Sequence, residues 1–183
     1  DLKIKAEFFY TDLNNEIYFD SNRFINTNFD NSEKYGVELF LYKDFGWLHG
    51  SINYSYTATR AKLGTRAFEI SAQPQHIVLT TVGKEFTSPL LPLHYHSVNL
   101  THKYQSESFA QDDFDNSLGR QRNYHATTFN YQLSDHKHWT LDFSVQNLFD
   151  VDNGQFVDFG RPSAVVYPTN YQRTFQGSIS YRF

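Results

Sequence analysis

The chain has 183 residues, 39% of them hydrophobic and 18% aromatic, with a net charge of -4 and a mean hydropathy of -0.59. That length fits one domain, and no apolar run reaches the roughly 18 residues a membrane helix needs, which leaves a soluble β protein or a barrel that hides its hydrophobicity by alternation. The net charge gives no general nucleic-acid signal, since binding a polyanion wants a clustered basic face, so no nucleic-acid partner is expected, and the absence of cysteine excludes a disulfide scaffold and a thiolate zinc site.

In chain order, Leu2 to Thr11 alternates, with Leu2, Ile4, Ala6, Phe8 and Tyr10 opposite Lys3, Lys5 and Glu7. A tight turn is predicted at Leu13 to Asn15, followed by a weak strand from Asn15 to Asp20 and a long polar stretch from Asn22 to Glu33. Another weak strand, Tyr35 to Lys43, leads to a tight turn at Asp44 to Gly46. Leu48 to Thr59 is the most regular segment: Leu48, Gly50, Ile52, Tyr54, Tyr56 and Ala58 face one way, and His49, Ser51, Asn53, Ser55, Thr57 and Thr59 the other. After a long stretch from Arg60 to Gln73, weak strands His76 to Phe86 and Leu93 to Tyr104 flank a short turn at Thr87 to Pro92. A long connection from Gln105 to Arg122, a weak strand Tyr124 to Leu133 and a turn at Ser134 to Lys137 come next. Trp139 to Gln146 alternates strictly, a long stretch covers Phe149 to Asn170, and the chain closes on an alternating strand ending at Phe183. In that last strand Arg173 breaks the apolar side near the loop end, where a long side chain can snorkel.

Turns that are short on one side and long on the other are the loop asymmetry of a bacterial outer-membrane barrel. The expected fold is all-β: an antiparallel transmembrane β-barrel segment of about nine strands, each near the roughly 9–11 residues that cross a bilayer at a tilt. Trp47 and Trp139 each follow a short turn, so both are expected at one rim, joined by Phe45, Phe86 and Phe183 as a membrane-interface girdle. A β-sandwich, which also alternates, more often buries its tryptophans mid-strand. With short turns in the periplasm, nine strands place Phe183 at the periplasmic rim and Asp1 at the extracellular one. Bacterial single-chain barrels have an even strand number, so residues 1–183 are expected to be the C-terminal portion of one larger barrel domain, with the remainder preceding Asp1.

Several motifs carry a family resemblance. Val145-Gln146-Asn147-Leu148-Phe149-Asp150 resembles the segment that precedes the last extracellular loop of TonB-dependent outer-membrane receptors. Val166-Tyr167-Pro168, then Arg173 and a strand ending Tyr181-Arg182-Phe183, is similar to that family's C-terminus. Asn14-Asn15-Glu16-Ile17 and Tyr35-Gly36-Val37-Glu38 resemble its recurring turn and strand start, and Asn170-Tyr171-Gln172-Arg173 departs from the tighter turn often seen before the last strand. The resemblance implies a plugged barrel of roughly twenty-two strands, with an N-terminal plug and TonB-contacting segment outside this sequence. It further implies active uptake of a scarce ligand, most often a ferric siderophore or other metal chelate, driven by the TonB-ExbB-ExbD complex acting through the plug. Outer-membrane lipid is implied as surroundings, and the barrel-assembly machinery as reader of a C-terminal signal on Ile179, Tyr181 and Phe183.

Candidate ligand contacts lie in the long connections. Phe109, Asp112, Asp113, Phe114 and Asp115 suit a cationic or metal-bearing ligand, or equally a solvated loop or a cation bridging lipopolysaccharide. Phe156, Phe159, Arg161 and Tyr167 suit closure over an aromatic or chelate ligand, or plain loop packing. Loop charge is mixed, Arg60, Lys62 and Arg66 standing against the acids of the next loop, so no ligand sign follows. His94-Tyr95-His96 and His136-Lys137-His138 each put two imidazoles on one strand face at the short-turn rim, away from the capture side, and a structural role is expected rather than a metal site. No cofactor is expected. No Gly-x-Ser-x-Gly elbow, phosphate loop or His-Glu-x-x-His occurs and no spacing points to an enzyme; a passive porin and a secreted sandwich module are the rival classes.

Overall fold

The computed structural model describes residues 1–20, 23–88, 91–110, 113, 115–117, 119–135, 137–153, 155–157, 165–167 and 172–183, and only the backbone of 91–93, 155–157 and 165–167. Its strands are β1 (Leu2–Asn14), β2 (Ile17–Asp20), β3 (Ile25–Asn28), β4 (Asn31–Asp44), β5 (His49–Leu63), β6 (Arg66–Phe68), β7 (His76–Ser88), β8 (Leu91–Gln105), β9 (Ser108–Phe109), β10 (Arg120–Gln121), β11 (Tyr124–Ser134), β12 (Trp139–Gln146), β13 (Gln155–Val157), β14 (Val165–Tyr167) and β15 (Thr174–Tyr181). One antiparallel nine-stranded sheet runs in the order β1-β4-β5-β7-β8-β11-β12-β15, with β6 paired to the upper part of β5. Three two-stranded hairpins, β2-β3, β9-β10 and β13-β14, belong to the long connections.

The expected turn at Leu13 to Asn15 is corrected here. Asn15 does adopt the left-handed conformation a turn needs, with φ 59°, but β1 first continues to Asn14 and pairs with β4 as far as Asn14 opposite Asn31. The segment after Asn15 folds into the β2-β3 hairpin, because four residues of strand cannot cross a span that takes about 9–11. Eight long strands therefore make the wall, and the ninth member of the sheet is the three-residue β6. The placement of Asp1 changes with it: the Asp44 N–H donates to the Asp1 carbonyl at 3.0 Å, so Asp1 lies at the short-turn rim with the end of β15.

Register assigns two faces to the wall. One carries Ile4, Leu39, Ile52, Val82, Leu100, Phe143 and Ile179, all exposed large hydrophobics. The other carries hydroxyls, amides and charges, including Ser51, Thr81, Thr101, Asn130, Ser144 and Gln176. A sheet whose exposed face is apolar and whose opposite face is polar is the inverse of a soluble half-sheet, and it suits a wall between lipid and an aqueous interior. Gly36 faces the polar side beside Phe9, its cross-strand partner: a Cβ there would stand 1.9 Å from the Tyr56 carbonyl oxygen and 2.7 Å from the Phe9 ring, so only glycine fits.

Two of the short turns close on their own residues. The Asp44 carboxylate accepts the Gly46 N–H at 2.7 Å, and Gly46 takes φ 84°. Asp135 accepts N–H donations from Lys137 (3.0 Å), His138 (2.8 Å) and Trp139 (2.9 Å). Loss of hydration works against its charge, but those three donors and nearby His138 prevail and hold its carboxyl far below the usual carboxylate range.

Candidate ligand-capture rim

All four long connections emerge at one rim, opposite the short turns, and contacts among described residues hold three of them in defined positions. The first, residues 15–30, is stapled to the polar side of the wall. Tyr18 stacks on Phe29 with ring centroids 3.9 Å apart, and Phe29, Ala61 and Phe68 form a small buried cluster flanked by Leu63 and Ile70. Glu16 bonds the Lys34 ammonium at 2.7 Å and accepts from the Ser32 hydroxyl. Partial burial raises the cost of its charge, but the Lys34 and Ser32 hydrogen bonds outweigh it and leave the carboxyl below its ordinary value. At the hairpin tip, Phe24 sits at φ 54° and is 70% exposed, while Asp20 is buried and accepts the Arg23 N–H.

The connections 64–75 and 106–123 are bound to each other. Asn116 acts as a surrogate strand: its Oδ1 accepts the Glu69 N–H at 2.8 Å and its Nδ2 donates to the Glu69 carbonyl at 3.0 Å. Arg120 Nη2 reaches Glu69 Oε1 at 2.6 Å, and its guanidinium lies 4.7 Å from the centre of the Phe109 ring. The Ser71 hydroxyl donates to the Asp113 carbonyl at 2.6 Å and the Ala72 N–H to the Phe109 carbonyl at 2.9 Å. Asn116 itself sits at φ 56°, a conformation asparagine tolerates better than most residues.

The last long connection begins with a knot around Asn147, which is 2% exposed and left-handed at φ 49°. Its side chain accepts the Val151 N–H at 3.0 Å and donates to the Val151 carbonyl at 2.9 Å. The Asp150 carboxylate takes the Arg173 N–H at 2.9 Å, and Arg173 Nε donates to the Leu148 carbonyl at 3.0 Å. So Arg173 fastens the two ends of this connection together instead of only reaching for water. Asn153 ties the same segment to β11 through the His125 N–H and carbonyl, at 2.8 and 2.7 Å.

Of the residues singled out for ligand contact, Asp113 is 1% exposed and its carboxylate accepts the Ser117 N–H at 2.7 Å, so in this arrangement it shapes the turn. Phe109 is half-buried under Arg120, and Asp115 is half-buried. Phe156 lies opposite Val166, and Tyr167 opposite Gln155, in the β13-β14 hairpin. Asp112, Phe114, Phe159 and Arg161 lie outside the described residues. Asn116, Glu69 and Arg120, which organise the rim, were not singled out in the sequence, and Asn147 only as part of the Val145 to Asp150 motif; side-chain amides paired with backbone groups leave no periodic trace.

At the opposite rim, Trp47 is 68% exposed in the β4-β5 turn, and Trp139 opens β12 with its ring 5.1 Å from His94. Ile179 and Tyr181 are exposed on β15, and Tyr181 meets Phe183 edge-on at 5.0 Å. His96 stacks on Phe86 and its Nδ1 lies 2.8 Å from the Tyr131 hydroxyl, whereas His138 stacks on Tyr181; His136 lies outside the described residues. No group of three or more His, Cys, Asp or Glu able to hold a metal ion occurs among the described residues.

No curated protein matches the chain. Among solved structures, the ferric-catecholate import receptor Fiu from E. coli K12, in its closed form, superposes with a TM-score of 0.68 at 16% identity, covering 99% of this chain and 25% of that one. The chain thus spans about a quarter of that receptor's length, and the likeness establishes the fold. The family described as "TonB dependent receptor-like, beta-barrel" matches residues 1–148. With that match over most of its length, and with its wall and rims arranged as described, the chain belongs to the TonB-dependent receptor β-barrel family.

Proposed function

We propose that the chain is the C-terminal portion of a TonB-dependent outer-membrane transporter that captures a scarce ligand, a ferric siderophore or other metal chelate, at the rim of the long connections. The family is one of transporters and receptors, not enzymes, and it indicates the bacterial outer membrane. The observation that carries the reading is the division of labour between rims. The short turns carry only a few residues each, while the long connections present Phe24, Phe109, Arg120 and the β13-β14 hairpin from anchored bases. Anchoring lowers the ordering cost of capture. In this reading the polar face lines the lumen, where a plug preceding these strands sits and passes TonB-derived force to the ligand. The ferric-catecholate specificity of Fiu makes iron chelates the first class to test.

The test is growth and radiolabelled uptake in cells expressing the full-length receptor, across ferric chelates, haem, cobalamin and other metal chelates, with and without TonB. TonB-dependent accumulation of one of them is the expected outcome. Equilibration without TonB, for solutes of many kinds, would instead make it a passive channel. Ile179, Tyr181 and Phe183 are proposed to be read by the barrel-assembly machinery. Deleting Phe183 should lower the heat-modifiable, membrane-inserted fraction, and undiminished insertion would remove that role.

A further inference from the structure

The membrane-facing wall has a notch at its outer end. β7 pairs with β5 only up to Tyr56, and β6 joins β5 from Ala61, so residues 57–60 have no ladder partner on that side. The connection before β7 bridges the gap, with the Thr57 N–H donating to the Gln75 carbonyl at 2.9 Å and the Ile70 N–H to Thr59 Oγ1 at 3.0 Å. This leaves a cavity of about 550 Å³, lined by Glu33, Tyr35, Tyr56, Arg60, Glu69 and Gln75 among others. Register places Glu33, Tyr35, Tyr56 and Arg60 on the apolar face.

The charges in this notch are unevenly satisfied. Glu69 is held by Arg120 at 2.6 Å, and Glu33, which stands opposite Arg60 in the ladder, forms its ion pair with Lys62 at 3.8 Å, so each acid has a cation of its own. Arg60 is exposed, and its side chain has no ion-pair or hydrogen-bond partner among the described residues. A guanidinium left over beside tyrosines, at the level where the wall meets the rim, is a bidentate receptor for phosphate. Below it the same face runs down through Val37, Leu39 and Ile52, an apolar track suited to a hydrocarbon chain.

From this we infer that the notch at Arg60, Tyr35 and Tyr56 binds a phosphorylated glycolipid of the outer leaflet, phosphate on the guanidinium and acyl chain along the wall. The inference rests on the membrane reading of the wall and is independent of the transported ligand.

Purified, delipidated full-length receptor in neutral detergent is titrated with diphosphoryl lipid A, with its dephosphorylated form and with inorganic phosphate alone, following native mass and thermal stabilisation. The phosphorylated glycolipid should bind about tenfold more weakly to Arg60→Gln than to the parent, as loss of a charge-assisted hydrogen bond implies, with Arg60→Lys between them. Dephosphorylated lipid should bind the parent no better than phosphorylated lipid binds Arg60→Gln. Equal binding to parent and Arg60→Gln overturns the proposal. Inorganic phosphate that displaces the lipid at matched concentration makes the notch an ion site and also overturns it. Ligand uptake by Arg60→Gln in cells should be unchanged, which separates failure here from failure of the transport reading.

Discussion

Asn116 offers a direct test of whether two long connections behave as one body. Its amide makes two hydrogen bonds to the Glu69 backbone, at 2.8 and 3.0 Å, and its own backbone is left-handed. Each hydrogen bond contributes about 1 kcal/mol net, so Asn116→Gly, which removes both without penalising the backbone, should weaken the association by about 2 kcal/mol. Asn116→Ala adds the cost of a left-handed alanine, about 1 kcal/mol more. Asn116→Asp keeps an acceptor for the Glu69 N–H but sets a carboxylate against the Glu69 carbonyl, and should fare no better than Gly. Hydrogen exchange on the full-length receptor reads the effect locally: about 2 kcal/mol corresponds to about 30-fold faster exchange at the Glu69 amide. The Ser71 and Ala72 segment should loosen in parallel, since it is held by the same partner connection. Unchanged exchange at Glu69 in both the Gly and Ala variants would refute the coupling. Faster exchange at Glu69 with Ser71 and Ala72 unaffected would refute the single-body description.

Gly36→Ala should destabilise the barrel by about 1–3 kcal/mol, the usual cost of overpacking, read as a lower temperature of heat-modified migration; Gly177→Ala, whose Cβ would meet only the Asp142 carbonyl at 3.8 Å, serves as the matched control and should be silent. Because the folded Glu16 carboxyl lies below its ordinary value, its contribution is fully present above the unfolded carboxylate range, about pH 4, and is lost as pH falls through the depressed folded value. Exchange in the 15–30 hairpin should therefore accelerate on acidification below about pH 4 and not between pH 6 and 8, and Glu16→Gln should abolish that dependence. Trp47 and Trp139 should both be quenched by brominated lipid in reconstituted receptor, the half-buried Trp139 less than Trp47; efficient quenching of both by aqueous iodide would argue against the interface position.

Alternation makes the wall legible in the sequence alone, since an apolar-polar period of two assigns both strand and face, as in β5 and β12. Loop asymmetry likewise identifies three of the short turns and which rim carries the long connections. The error at Asn14 and Asn15 comes from a correct turn signal with an ambiguous destination. A left-handed asparagine reverses the chain equally well into a membrane strand or into a loop hairpin, and only the length of the next strand decides. The rim is less legible because its order comes from single side chains acting as backbone substitutes. Asn116, Asn147 and Asn153 each satisfy backbone groups of a segment distant in sequence, or their own turn, and such contacts follow no period. Asp113 adds a local reason: within an acidic run that reads as a ligand site, this buried carboxylate accepts the Ser117 N–H of its own turn.

The self-contained short turns also bear on how the wall forms. Asp135 and Asp44 organise their turns with donors no more than four residues away, so the β11-β12 and β4-β5 pairs can close with little loop entropy before any other strand is in place. The opposite rim has no such independence: Glu69 and Asn116 are 47 residues apart, and Glu16 waits for Lys34 on β4. Assembly is thus expected to proceed in hairpin units joined at the short-turn rim, with the outer rim ordering last. The surface a receptor exposes to its surroundings is then the final part to acquire its shape.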